Sequence, residues 1–349
     1  MLTNVLESKR YIRALMKVLP ILSFTLPFVM LYCFQNLAYP RYENTFEMTW
    51  KGRTFYIFFI WLASLEIIIN WERLQTTKVE KLRSIRTWMF IFSLLLPTLY
   101  VVASNFFGLN VIILDWAKTS GIAQGIWMPL SIEYLVLAIL FVVICLAEFG
   151  LNSLANLALS PIFLATIGLV YTIDNVYEYG SFLPFQILVP ATATLAANML
   201  NFLGYQTQWV SQQLGTPVLS VHNEKGLAAF GIAWPCSGIE SLIIYSVTIL
   251  LFLKGTLIPW KQKIAYFVGG AVVTFFINVL RIVTIFVIAV NADQIQVQRF
   301  HDYYGQLYSI VWIISYPMII MGSRLLYSKI TGLRTGRKEI MLSKSNGPL

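Results

Sequence analysis

The stretch Trp234-Pro235-Cys236-Ser237-Gly238-Ile239-Glu240 holds the most reactive side chain in a sequence with few candidates. Ser237 and Glu240 have the S-x-x-E spacing of a capping box, and the apolar run Leu242–Leu253 follows, so a helix is expected to open here. Cys236 would then lie just outside the helix N-terminus, where the positive end of the dipole favours thiolate and hence nucleophilicity. The bland alternative is a small apolar filler, the reading given to Cys33 and Cys145.

Two other residues stand out by position. Arg281 lies inside a hydrophobic run, where an arginine is costly unless it pairs or faces a wet cavity. It could instead snorkel and anchor a helix end. Asn278, three residues earlier, shares a similar face and could hold the guanidinium or a substrate carbonyl. His301 opens His301-Asp302-Tyr303-Tyr304-Gly305 and could exchange protons near neutral pH, or be a hydrogen-bonded interfacial histidine. A thiol, an imidazole and a fixed cation are the parts of an acyl-transfer site: nucleophile, proton carrier and oxyanion stabiliser. No CxxC, HExxH or GxxxxGK[ST] spacing occurs, so neither a metal nor a nucleotide cofactor is expected.

The elements that must position these residues follow from composition. The 349 residues are 58% hydrophobic and 12% charged, with a mean hydropathy of +0.70, which excludes an ordinary soluble enzyme and a disordered chain. An all-α, polytopic membrane protein is expected. Apolar runs lie at about 18–39, 54–71, 88–107, 130–149, 151–172, 184–203, 237–253, 264–290 and 306–326.

The net charge of +9 maps onto the connections rather than onto a nucleic-acid surface. Eighteen of the 25 basic residues fall at the N-terminus, in 72–87, in 254–263 and in the tail, and the positive-inside rule puts these four groups in the cytoplasm. Arg41, Lys51, Arg53, Lys118, Lys225 and Arg299 fall in the other loops among acids such as Glu43, Glu47, Asp115, Glu224 and Asp302. With both termini inside, nine crossings are impossible. The run 184–203, broken by Pro184 and Pro190 and diluted by Thr192, Thr194, Asn198 and Asn201, is read as an outer interfacial helix. About eight membrane helices result, N-in and C-in.

This topology sets Cys236, Arg281 and His301 in one outer layer on three consecutive spans. In the largest outer loop, 217–221 and 227–232 flank the polar turn Asn223-Glu224-Lys225-Gly226 and are expected to form a short β-hairpin, with His222 in its turn. Residues 1–150 form a four-span N-terminal bundle, 151–330 the core carrying the candidate site, and 331–349 a basic tail expected to be disordered.

The order and setting of three motifs resemble the exosortases and archaeosortases: Cys236-Ser237-Gly238 opening a span, Asn278-Val279-Leu280-Arg281 high in the next, and His301-Asp302 with Gly305 before the last. Leu183-Pro184-Phe185-Gln186 and Gly204 are similar to the region that precedes the cysteine in that family. The resemblance covers about 160–325. It implies a cell-membrane cysteine transpeptidase, active on the outer face, that cleaves C-terminal sorting signals of exported proteins and passes them to a lipid or other acceptor. Carried over by position, Cys236 forms the thioester, Arg281 is the oxyanion or substrate clamp, and His301 is the third member. Ser237, Gly238, Glu240, Asn278 and Gly305 support them. Archaeosortases resemble this pattern with an arginine in the third place, and Arg299 is near. Glu240 departs from the basic residue often found there in exosortases.

A second function class fits the residues alone: a transporter, or a polymerase or ligase of lipid-linked glycans, with Arg281 binding an anionic head group.

Overall fold

The computed structural model describes residues 2–34, 53–74, 85–122, 127–177, 182–213 and 216–345. Arg41, Glu43, Glu47, Lys51, Lys78, Lys81 and Arg83, which entered the charge argument, lie outside the described residues.

The first half is helical: α1 (Leu2–Cys33), α2 (Thr54–Ile69), α3 (Ile85–Phe106), α4 (Leu109–Thr119) and α5 (Met128–Phe149). A short α6 (Leu151–Leu154) leads into α7 (Leu159–Val176). Then come α8 (Leu183–Gln186), α9 (Val189–Phe202), strands β1 (Gln206–Gln213), β2 (Thr216–His222) and β3 (Leu227–Gly231), and a 3₁₀ turn at Trp234–Ser237. Helices α10 (Ile239–Lys254), α11 (Trp260–Asn291) and α12 (Gln294–Arg299) follow. A π-helical turn at Phe300–Tyr304 opens into α13 (Gly305–Ser345).

Among the described residues, six helices are long and apolar enough to cross a bilayer: α1, α3, α5, α7, α11 and α13. The molecule is a multi-pass membrane protein. Of the eight expected crossings, the two that fall short of this length are α2 and α10. Each has 16 residues, or about 24 Å against the roughly 30 Å of hydrocarbon. The run 184–203 folds as α8 and α9, and α9 has only 14 residues.

Polarity is inverted in the manner of a bilayer protein. Trp88, Met89, Ile139 and Leu250 are exposed, whereas polar groups are buried in pairs. Arg53 pairs with Glu133, and Asn105 bridges them, accepting from Arg53 Nη2 at 2.8 Å and donating to Glu133 Oε2 at 3.2 Å. Glu66 caps α7 from α2, accepting from the backbone N–H of Leu159 (2.7 Å) and Ser160 (2.9 Å) and from the Ser160 hydroxyl.

The largest apolar core runs through both halves of the chain, from Phe24, Phe59 and Phe141 to Ile244, Tyr245 and Ile310. Around residue 150, α5 packs directly on α7. A Cβ at Gly168 would lie 2.8 Å from Leu135 Cγ and 3.0 Å from the Ser131 carbonyl, so glycine permits this approach. A second core joins Ala193, Ala196, Ala197 and Leu200 of α9 to Leu219 and Val221 of β2 and to Val279, Ile282, Val283 and Phe286 of α11. The alanine stripe at helical spacing lets α9 lie close to its neighbours.

Two expectations need correction. The hairpin forms, with Val221 opposite Ala228 and Asn223 Oδ1 accepting from the N–H groups of Lys225 and Gly226, but it is part of a three-stranded antiparallel sheet. His222 ends β2 rather than lying in the turn. β1, Gln-Thr-Gln-Trp-Val-Ser-Gln-Gln, escapes notice because polar residues occupy both faces and leave little apolar alternation. The tail is helical to Ser345, not disordered from 331, because Leu333, Lys338, Glu339, Met341 and Leu342 are good helix formers and the next proline is Pro348.

Candidate active site

The second core is the platform on which the site is built. β3 ends at Gly231, and the chain turns through Trp234–Ser237 before α10 begins. The turn is held on three sides. Trp234 Nε1 donates to Asp174 Oδ1 of α7 (3.0 Å), and its ring packs on Phe185 of α8 with centroids 4.4 Å apart. Thr192 of α9 donates to the Ser237 carbonyl (2.8 Å), and Asn278 of α11 donates to the Cys236 carbonyl (2.6 Å). Four elements therefore fix the backbone that carries the thiol.

The expected capping box does not form. Ser237 is fully buried and turns back to donate to the Trp234 carbonyl at 2.7 Å, closing the 3₁₀ turn. The cap position falls on Gly238, which has φ +92° and no side chain to offer. Glycine is required here twice over: L-residues avoid that backbone region, and a Cβ would sit 2.9 Å from Asn278 Nδ2. Freed from capping, Glu240 lies in the first turn of α10 with Oε1 buried and unmatched.

Cys236 Sγ lies 3.9 Å from His301 Nε2, within hydrogen-bonding reach for sulfur. The thiol is partly exposed and His301 is half-buried. His301 sits in the π-helical turn between α12 and α13, an irregularity frequent at functional sites. Arg281, on α11 one turn beyond Asn278, is only 8% exposed. It packs so closely on Gly305 that a Cβ there would lie 2.8 Å from Nε.

These neighbours set the state of the sulfur. Burial pushes the Cys236 thiol up, since it disfavours the charged form. The hydrogen bond from His301, then the positive charges of Arg281 and His301, pull it down, and Glu240 opposes them. The balance leaves the thiol below its ordinary value.

The three residues expected to act together are thus gathered: Cys236 just before α10, Arg281 along α11 and His301 just before α13. Arg299 is exposed at the end of α12, whereas His301 reaches the sulfur. Among the described residues Asn278 makes no hydrogen bond to Arg281; its Nδ2 donates to the Cys236 carbonyl. It holds the Cys236 backbone. Sequence reasoning missed Thr192, Asp174 and Ser309, which reach the site from helices distant in the chain; Thr192 had been noted only as a polar residue diluting its run. Among the described residues no cluster of His, Cys, Asp and Glu could hold a metal ion.

A model of the transmembrane exosortase family matches residues 50–323. This chain belongs to the transmembrane exosortase family. The match spans the N-terminal helices from just before α2 as well as the region of the cysteine, so the family likeness extends beyond 160–325. No curated protein and no solved structure matches the chain. Membership carries a membrane transpeptidase or protease role on substrates that bear sorting signals. In this exosortase, the thiol–imidazole–guanidinium cluster lies within the matched region.

Proposed function

We propose that this exosortase cleaves C-terminal sorting signals of exported membrane-anchored proteins through a thioester on Cys236. The observation that carries the proposal is the 3.9 Å approach of Cys236 Sγ to His301 Nε2 beside the buried Arg281. The thiol proton passes to His301, and Sγ attacks the scissile carbonyl. The donors of Arg281 meet the oxyanion as it forms. Collapse of the tetrahedral intermediate breaks the C–N bond, and His301 returns the proton to the leaving amine. An amine, a hydroxyl or water then attacks the thioester by the reverse sequence and restores the thiol.

The same reading fixes the orientation. With the basic segments in the cytoplasm and eight crossings, including the short α2 and α10, the site opens on the outer face of the cell membrane. Arg281 lies about 25 Å along α11 from residue 264, near that interface.

The test is processing of a tagged reporter with its sorting signal in cells carrying wild-type or variant enzyme. Cys236→Ala and Cys236→Ser are expected to abolish processing with normal membrane insertion. Arg281→Lys is expected to lose most of it, since an ammonium lacks the planar fork. Full processing by Cys236→Ala would end the proposal.

A further inference from the structure

Glu240 and Arg281 line one cleft together with Phe55 of α2 and with Ile244, Ile310 and Ile313. Neither charged group has a hydrogen-bond partner among the described residues. Arg281 Nε and Glu240 Oε1 are each buried and unmatched. They do not form an ion pair with each other, as Arg53 and Glu133 do in the N-terminal half. Of the two hydroxyls in the cleft, Ser241 donates to Ser309 at 2.9 Å. A buried cation and a buried acceptor left unmatched side by side call for an incoming group that supplies what they lack.

The chemistry of the pair limits that group. A carboxylate would satisfy Arg281 and be repelled by Glu240, and an ammonium would meet the reverse problem. An apolar group would leave both unmatched. A neutral group carrying an acceptor and a donor a bond or two apart satisfies both, and the amide is the group of that kind a polypeptide provides. We infer that Glu240 and Arg281 form a bipolar subsite for one amide group of the substrate beside the bond that Cys236 attacks. The amide carbonyl accepts from Arg281 and the amide N–H donates to Glu240. The inference rests on Cys236 being the nucleophile.

Iodoacetamide and iodoacetate test it on the full-length protein in nanodiscs. Both react identically, forming an S–CH₂ bond and expelling iodide, and they differ only in head group. Their rate ratio at Cys236, read by mass spectrometry and divided by the ratio for glutathione, cancels changes in thiolate fraction. The wild-type ratio is expected to favour the amide. Glu240→Gln should lower it about fivefold or more by leaving the cation unopposed, Arg281→Gln should raise it, and Glu240→Asp should hold it near wild type. A ratio that neither Glu240→Gln nor Arg281→Gln moves overturns the subsite, and so does failure of both reagents to reach Cys236. Charge-dependent ratios with reporter processing intact in Cys236→Ala would sink the transpeptidase reading, and with it the placement of the subsite beside the scissile bond, while the charge selectivity of the cleft would remain.

Discussion

Asn278 donates a 2.6 Å hydrogen bond to the carbonyl of Cys236, tying the middle of a long membrane helix to the backbone of the proposed nucleophile 42 residues earlier. The same side chain packs on Gly238, which has no Cβ to fend it off. Thiol placement therefore depends on a contact that only an amide donor and a glycine make together.

Asn278→Ala is expected to leave the Cys236 carbonyl unsatisfied in a dry environment, at a cost of about 1–3 kcal/mol. Asn278→Asp should be no better, because an ionised carboxylate offers the carbonyl an acceptor where a donor is needed. Thermal unfolding in detergent should show the loss in both variants, and reporter processing should fall with it.

Thiol reactivity has a defined pH dependence. With the Cys236 thiol held below its ordinary range, thiolate is present above the lowered value and is lost as pH falls through it. The rate of alkylation at Cys236 should therefore level off below the roughly 8.5 of a free thiol. His301→Ala removes the hydrogen bond and a positive neighbour, and the inflection should move upward. An unchanged inflection would mean that His301 does not stabilise the thiolate.

Gly305→Ala probes the seat of the guanidinium. The new Cβ would meet Arg281 Nε at 2.8 Å and the Phe300 carbonyl oxygen at 3.4 Å, so the arginine must shift while the backbone stays allowed. Displacement of the proposed oxyanion donor by about an ångström should reduce processing about a hundredfold with little change in insertion. Quantifying processed reporter against membrane-inserted enzyme separates the two effects.

In the N-terminal half, the Arg53–Glu133 pair is buried on both sides. Breaking it by Arg53→Met is expected to cost about 3–5 kcal/mol, because Glu133 is left as an uncompensated charge. Adding Glu133→Leu should recover much of that loss. Denaturation curves of the single and double variants give the comparison.

The residues of the candidate site were legible because they violate their surroundings: a cysteine before an apolar run, an arginine inside one, and a histidine at the start of another. That they should share one layer was expected from charge asymmetry between connections, which is a long-range signal. The local geometry was less legible. Ser237-x-x-Glu240 satisfies a capping pattern that the fold does not use, since contacts from α7, α9 and α11 hold the turn in a 3₁₀ conformation and move the cap to Gly238. The role of Asn278 was hidden for the same reason, because its partner is a main-chain carbonyl that carries no sequence signature. Phe55 in the cleft comes from a helix some 180 positions before Glu240 in the chain, and no local pattern announces such a neighbour.

The central claim is that Cys236 carries the acyl group, and intact-protein mass spectrometry of enzyme quenched during turnover of a sorting-signal reporter tests it most directly. The expected result is a substrate fragment on the Cys236 peptide that neutral hydroxylamine releases, as it does a thioester, and that Cys236→Ala lacks. Turnover of the reporter with Cys236 unmodified throughout, or undiminished in Cys236→Ala, would contradict the account.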